Sequence, residues 1–138
     1  MPEPQLVLVR GLPGSGKSTI AKKEYPDHHH FEADMYQYCE CGKYNFHPEV
    51  HGRAHEWCLN ETISKIEQGE NVVVSNTFTR NWEMLPYFGV AKMYGADLVV
   101  REAEAPWAND PIVCAEKTVH KVPLEIIEAM KERWEELP

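Results

Sequence analysis

Eight consecutive residues, Gly11-Leu12-Pro13-Gly14-Ser15-Gly16-Lys17-Ser18, follow the spacing G-x-x-x-x-G-K-[ST]. Glycines let a backbone curl until successive N–H groups point into one concavity, and a helix N-terminus behind it adds positive potential. A lysine after the last glycine places a point charge where the β- and γ-phosphates of a nucleotide would lie, and the next hydroxyl suits Mg²⁺. The run from Gly11 through Thr19 is therefore the expected nucleotide-binding segment. Lys17 is expected to have the catalytic role and Ser18 the metal-holding one.

Phosphoryl transfer asks little more of a protein than a carboxylate to orient a hydroxyl and take its proton, plus a cation to steady the developing charge. Asp34, in Phe31-Glu32-Ala33-Asp34-Met35, is the candidate base, with Glu32 as the second choice. The third β-type run ends in Ser75-Asn76-Thr77, where a carboxylate would ordinarily stand; Ser75 or Asn76 could hold a metal-bound water and Thr77 could touch substrate. Arg53, Arg80, Lys117 and Lys121 are the local basic groups, and Lys117 is the expected lid residue. His51 and His55, four apart, follow Cys39-Glu40-Cys41, but neither H-E-x-x-H nor a paired C-x-x-C is present, so a zinc site is not expected. Tyr36, Tyr38, Tyr44 and Phe46 follow Asp34 and could stack on a base.

Groups this scattered meet only if a sheet brings them to one edge. The runs Gln5 to Arg10, Asn71 to Ser75 and Asp97 to Arg101 are β-branched and nearly continuous, as strands covered on both faces should be, and His29 to Ala33 is a weaker fourth. Helical patterns separate them. Gly16 to Glu24 stops before Tyr25-Pro26, and Pro48 to Gln68 is closed by Gly69. Arg80 to Tyr94 should turn Trp82, Leu85, Phe88 and Val90 inward, and Pro123 to about Leu137 repeats Leu124, Ile127, Met130, Trp134 and Leu137. Strand alternating with helix predicts right-handed crossovers and a parallel α/β sheet. Such a sheet gathers ligands at the C-terminal ends of its strands, where Asp34 and Ser75-Asn76-Thr77 fall.

The chain has 138 residues, 43% apolar and 26% charged, with a formal net charge of −8. That suits one domain spanning residues 1–138. No apolar run approaches the roughly 20 residues of a membrane helix, and the start, Met-Pro-Glu-Pro, does not read as a secretory signal. A cytoplasmic domain with free thiols at Cys39, Cys41, Cys58 and Cys114 is expected. The acidic balance argues against a broad footprint on duplex nucleic acid, though not against a substrate held in a small basic pocket. A GTPase would need an N-K-x-D run; Asn76-Thr77-Phe78-Thr79 does not supply one. A compact kinase is the class that remains.

The run Gly11 to Thr19, Phe31-Glu32-Ala33-Asp34-Met35, Ala54-His55-Glu56-Trp57, Ser75-Asn76-Thr77-Phe78-Thr79 and His120-Lys121-Val122-Pro123 occur in that order. Together they resemble a family of small P-loop kinases of the AAA_33 type, found in bacteria and phages. It is related to the kinase domain of phage polynucleotide kinase and to the P-loop domain of NEDD4-binding-protein-2-like proteins. The resemblance covers essentially the whole chain. It implies a three-layer sandwich with a parallel sheet of four to five strands in the order 2-3-1-4, strand one central, and a short lid at about residues 104–122. It implies ATP and Mg²⁺ as cofactors, Asp34 as the base, and γ-phosphate transfer to a hydroxyl on nucleic acid. The acceptor would be a 5′-hydroxyl on nucleic acid or the hydroxymethyl group of 5-hydroxymethyluracil in phage DNA; Arg53, Thr77 and Arg80, read from the residues themselves, join Asp34 as the expected substrate contacts. The family lid often reads Arg-Asn-x-His-Gly-Val-Pro; here Lys117 stands for the arginine and Lys121 for the glycine. A small-molecule kinase and a nucleotide-dependent binding module are the alternative readings.

Overall fold

The computed structural model describes residues 3–33, 35, 51–118 and 122–137. Four parallel strands, β1 (Gln5–Arg10), β2 (His29–Phe31), β3 (Val72–Asn76) and β4 (Asp97–Glu102), form one sheet in the order β2-β3-β1-β4. The expected order is confirmed, with β1 in the middle. Leu8 lies opposite Val74 on one side and Val100 on the other, and Arg10 opposite Asn76 and Glu102. That register brings the ends of β1, β3 and β4 level, so the segments leaving these strands enter the same crevice.

The helices among the described residues are α1 (Lys17–Glu24), α2 (His51–Glu67), α3 (Leu85–Tyr94), α4 (Pro111–Lys117) and α5 (Leu124–Glu132). Alternation along β1 and β3 sorts the layers. Leu6, Leu8, Val72 and Val74 pack with Cys58 and Ile66 of α2 and with Tyr87, Val90 and Ala91 of α3. Val7, Val9 and Val73 face the other way, onto Ala21 of α1. A third cluster joins Leu12, at the phosphate loop, to Cys114 of α4 and Ile127 of α5. The loop is thus clamped from behind by the last two helices.

Three sequence expectations are revised. Residues Asn81–Met84 form a 3₁₀ turn before α3 begins at Leu85. Three residues per turn rotates the faces relative to a continuous helix. Trp82 and Leu85 consequently face solvent (64% and 58% exposed), while Met84 and Tyr87 turn inward with Val90. The last helix stops at Glu132, because the backbone beyond it is drawn off: the Glu135 N–H donates to the Thr79 carbonyl at 2.7 Å. Helix α4 is additional to the expected elements. Its signal is present in Asp110-Pro111, with the Asp110 carboxylate accepting from the N–H groups of Ile112 and Val113 at 3.1 and 3.4 Å and Pro111 opening the helix.

Candidate active site

β1 runs into the glycine segment and α1 leaves it, the strand–loop–helix context that the motif requires. Gly14 and Gly16 are left-handed, at φ +78° and +93°. The Ser15 N–H donates to the Leu12 carbonyl at 3.0 Å, which closes the turn. Ser15 is fully buried and its hydroxyl has no hydrogen-bond partner among the described residues. An orphaned buried hydroxyl inside a loop of this curvature is what a cradle for an anion leaves behind. The residues present therefore fit a nucleotide phosphate. Lys17 and Ser18 follow at once in the first turn of α1, with Thr19 next.

The surroundings of Ser18 come from two strands. Its hydroxyl donates to Glu32 Oε1, just past β2. Ser75, on β3, donates to the same oxygen at 2.7 Å. His30 Nε2 lies 3.1 Å from it and 2.6 Å from Ser75 Oγ. A carboxylate only accepts, so the His30 nitrogen facing it carries the proton. Burial works against the charge on Glu32, but hydrogen bonds from His30, Ser18 and Ser75 outweigh it and hold the carboxyl down at about 2. Ser75 and Asn76 do not play alike. Asn76 Oδ1 accepts from the Ala33 N–H at 2.9 Å, and Nδ2 reaches Cys58 Sγ at 3.7 Å. Asn76 therefore pins the backbone of β2's exit to β3 one residue before Asp34.

The proposed base itself, Asp34, lies outside the described residues, as do Lys121, Cys39, Cys41 and the aromatic residues Tyr36, Tyr38, Tyr44 and Phe46. Lys117, the last residue of α4, holds its ammonium 4.2 Å from the centre of the Trp107 ring. Trp107 in turn donates from Nε1 to the Gly14 carbonyl at 3.0 Å. Lys117 is thus brought to the rim of the phosphate loop through one intervening indole. Arg53 is exposed near the start of α2. Thr77 is half-buried at the exit of β3. Arg80 is exposed and lies 3.7 Å from Glu135 of the C-terminal segment.

One residue with a commanding position carried no motif to announce it. Arg10 ends β1, one residue before Gly11, and is completely buried. Its guanidinium donates to the carbonyls of Phe78 (3.0 and 2.7 Å), Thr79 (3.3 Å) and Glu135 (2.8 Å), and meets Glu102 at 3.3 Å. The Trp134 ring covers it at 4.0 Å. Burial lowers its pKa, and the neighbouring Glu102 pulls the other way. Phe78 adopts φ +43° there, a left-handed conformation away from glycine, with its carbonyl engaged by Arg10. A strand-ending arginine looks like any other in sequence; only its partners distinguish it.

Among the described residues, no group of three or more His, Cys, Asp and Glu could hold a metal ion. A hard cation held by the Ser18 hydroxyl and phosphate oxygens needs no such group.

A family described as AAA domain, AAA_33, matches residues 6–137. The chain belongs to this family. Among the described residues, the four-stranded 2-3-1-4 sheet and five helices are a P-loop kinase-like fold. The chain is similar to human NEDD4-binding protein 2, at 34% identity over 94% of this chain but only 8% of that protein's length. It is also similar to a chain of the Pnkp1/Rnl/Hen1 RNA repair complex, with a TM-score of 0.72 at 20% identity, covering 96% of this chain and 44% of that one. A sugar kinase from Janibacter sp. HTCC2649 has a TM-score of 0.65 at 15% identity, over 98% of this chain and 80% of that one. Structural likeness at such identities shows the fold. Among the described residues, no helix of this AAA_33 member is long and apolar enough to cross a membrane.

Proposed function

We propose that this protein is an ATP-dependent phosphotransferase whose acceptor is a hydroxyl on nucleic acid. The observation that carries the reading is the juxtaposition of the phosphate cradle, formed at Gly11 to Ser18, with the exit of β2 through the Ser18–Glu32 hydrogen bond. That contact brings Glu32, two residues before Asp34 in the sequence, against the first turn of the helix that leaves the cradle. The cradle's N–H groups and Lys17 hold the β- and γ-phosphates. Ser18 would hold Mg²⁺, which when bound would offset phosphate charge. Asp34 accepts the proton of the acceptor hydroxyl as its oxygen bonds to the γ-phosphorus and the bond to the β-phosphate oxygen breaks, leaving ADP. In this reading Lys117, which lies beside Trp107, steadies the transferred group, and Arg53, Thr77 and Arg80 are further acceptor contacts.

A terminal 5′-hydroxyl and the hydroxymethyl group of 5-hydroxymethyluracil are the acceptors this reading names. The likeness to a chain from an RNA repair complex supports a nucleic-acid acceptor. The net charge of −8 and the likeness to a sugar kinase favour a small-molecule acceptor as the second reading. Incubation with γ-labelled ATP and either 5′-hydroxyl oligonucleotides, hydroxymethyluracil duplex or mixed nucleosides and sugars separates the two. Label on an oligonucleotide or duplex, with a KM that rises with salt, is expected. Label confined to nucleosides or sugars would transfer the assignment to the second reading. ATP bound but no acceptor labelled would make the chain a binding module. Lys17→Ala should abolish turnover, and Asp34→Asn should slow it by roughly 10²–10⁴-fold while ATP still binds. Near-normal turnover in Asp34→Asn would remove Asp34 as the base.

A further inference from the structure

A serine can serve a cation only through an oxygen lone pair, so its proton must be directed elsewhere. In this chain that proton is committed to Glu32. The third strand, where a P-loop protein ordinarily offers a carboxylate beside the cradle, offers Ser75 instead, and Ser75 also donates to Glu32. His30 closes on the same oxygen from β2. Three donors from α1, β2 and β3 thus converge on Glu32 Oε1. The side chain is only 15% exposed, so its charge acts on its neighbours with little screening by water.

We propose that Glu32 is the positioning residue for the divalent cation, supplying from β2 the negative charge that β3 lacks and holding the Ser18 hydroxyl with its proton turned away from the cradle. Ser75 and His30 hold Glu32 in turn. The proposal rests on the nucleotide reading of the phosphate loop and gives Glu32 a task separate from the proton transfer assigned to Asp34. Outer partners that orient a metal-holding group are ordinarily worth 10- to 100-fold in metal affinity.

Mn²⁺ titration followed by electron paramagnetic resonance, with a non-hydrolysable ATP analogue present, measures cation affinity without turnover. Binding of the same analogue in EDTA measures nucleotide affinity without the cation. Glu32→Gln should weaken Mn²⁺ by about 10- to 100-fold while changing analogue affinity in EDTA by no more than about twofold. A purely structural role would lower stability and leave Mn²⁺ affinity in the folded protein alone. Unchanged Mn²⁺ affinity in folded Glu32→Gln overturns the proposal and leaves the nucleotide site standing. Failure of the wild-type protein to bind the analogue at all overturns the nucleotide reading and the proposal with it. Should Glu32→Gln not fold, Ser75→Ala carries the test: Mn²⁺ affinity should fall about threefold or more, and no change overturns the proposal.

Discussion

Gly14 bears two constraints at once. Its φ of +78° is one that side chains adopt only with strain, and a Cβ built on it would sit 2.1 Å from the carbonyl oxygen of Cys114. That oxygen belongs to the backbone of α4, so it cannot swing aside as a flexible side chain would. Gly14→Ala should therefore cost at least about 2 kcal/mol in urea unfolding. Analogue binding should be lost as well, because the loop can relieve the overlap only by uncurling. Stability and binding close to wild type would mean that α4 does not clamp the loop.

Among the elements, the joint at Arg10 ties most together. It links the end of β1 to the turn after β3, to β4 through Glu102 and to the segment after α5 through the Glu135 carbonyl. Arg10→Leu removes the donors and strands carbonyl groups in the interior. A loss of about 3 kcal/mol is expected from the shift in urea midpoint at unchanged slope. Lysine should rescue only in part, since an ammonium cannot reproduce the planar fork that serves Phe78, Thr79 and Glu135 together. Because Gly11 is the next residue, the same variant should also weaken nucleotide binding. Full rescue by lysine would show that charge rather than geometry is what the site uses.

At the scale of the whole molecule, one buried layer runs from α2 through the sheet's β3 and β1 strands. Cys58 sits in it with no exposed surface, and burial pushes its thiol up. A buried neutral thiol is a poor nucleophile. Alkylation of Cys58, followed by mass spectrometry of its peptide, should track global unfolding in urea, with little reaction in native buffer at pH 8. Fast native labelling would indicate that α2 opens separately from the sheet. Such opening would matter for function, because Asn76 reaches from β3 to both Cys58 and the Ala33 N–H ahead of Asp34.

The sequence by itself determined the phosphate-loop motif, on which the proposed nucleotide site rests, and the architecture. A motif of eight adjacent residues carries its own geometry, and β-branched runs alternating with helical ones admit few parallel arrangements. Helix α4 had a local signal in Asp110-Pro111, whereas the helix faces around Trp82 and the end of the last helix were decided by tertiary contacts. A short 3₁₀ turn and a backbone bond from Glu135 to Thr79 override local periodicity there. The roles of Arg10, His30 and Glu32 were likewise beyond local reading. Arg10 meets partners 68 to 125 residues away, and Glu32 takes bonds from residues 14 and 43 positions distant. Proximity of that kind is made only when parallel strands are set side by side, which spacing along one chain does not encode.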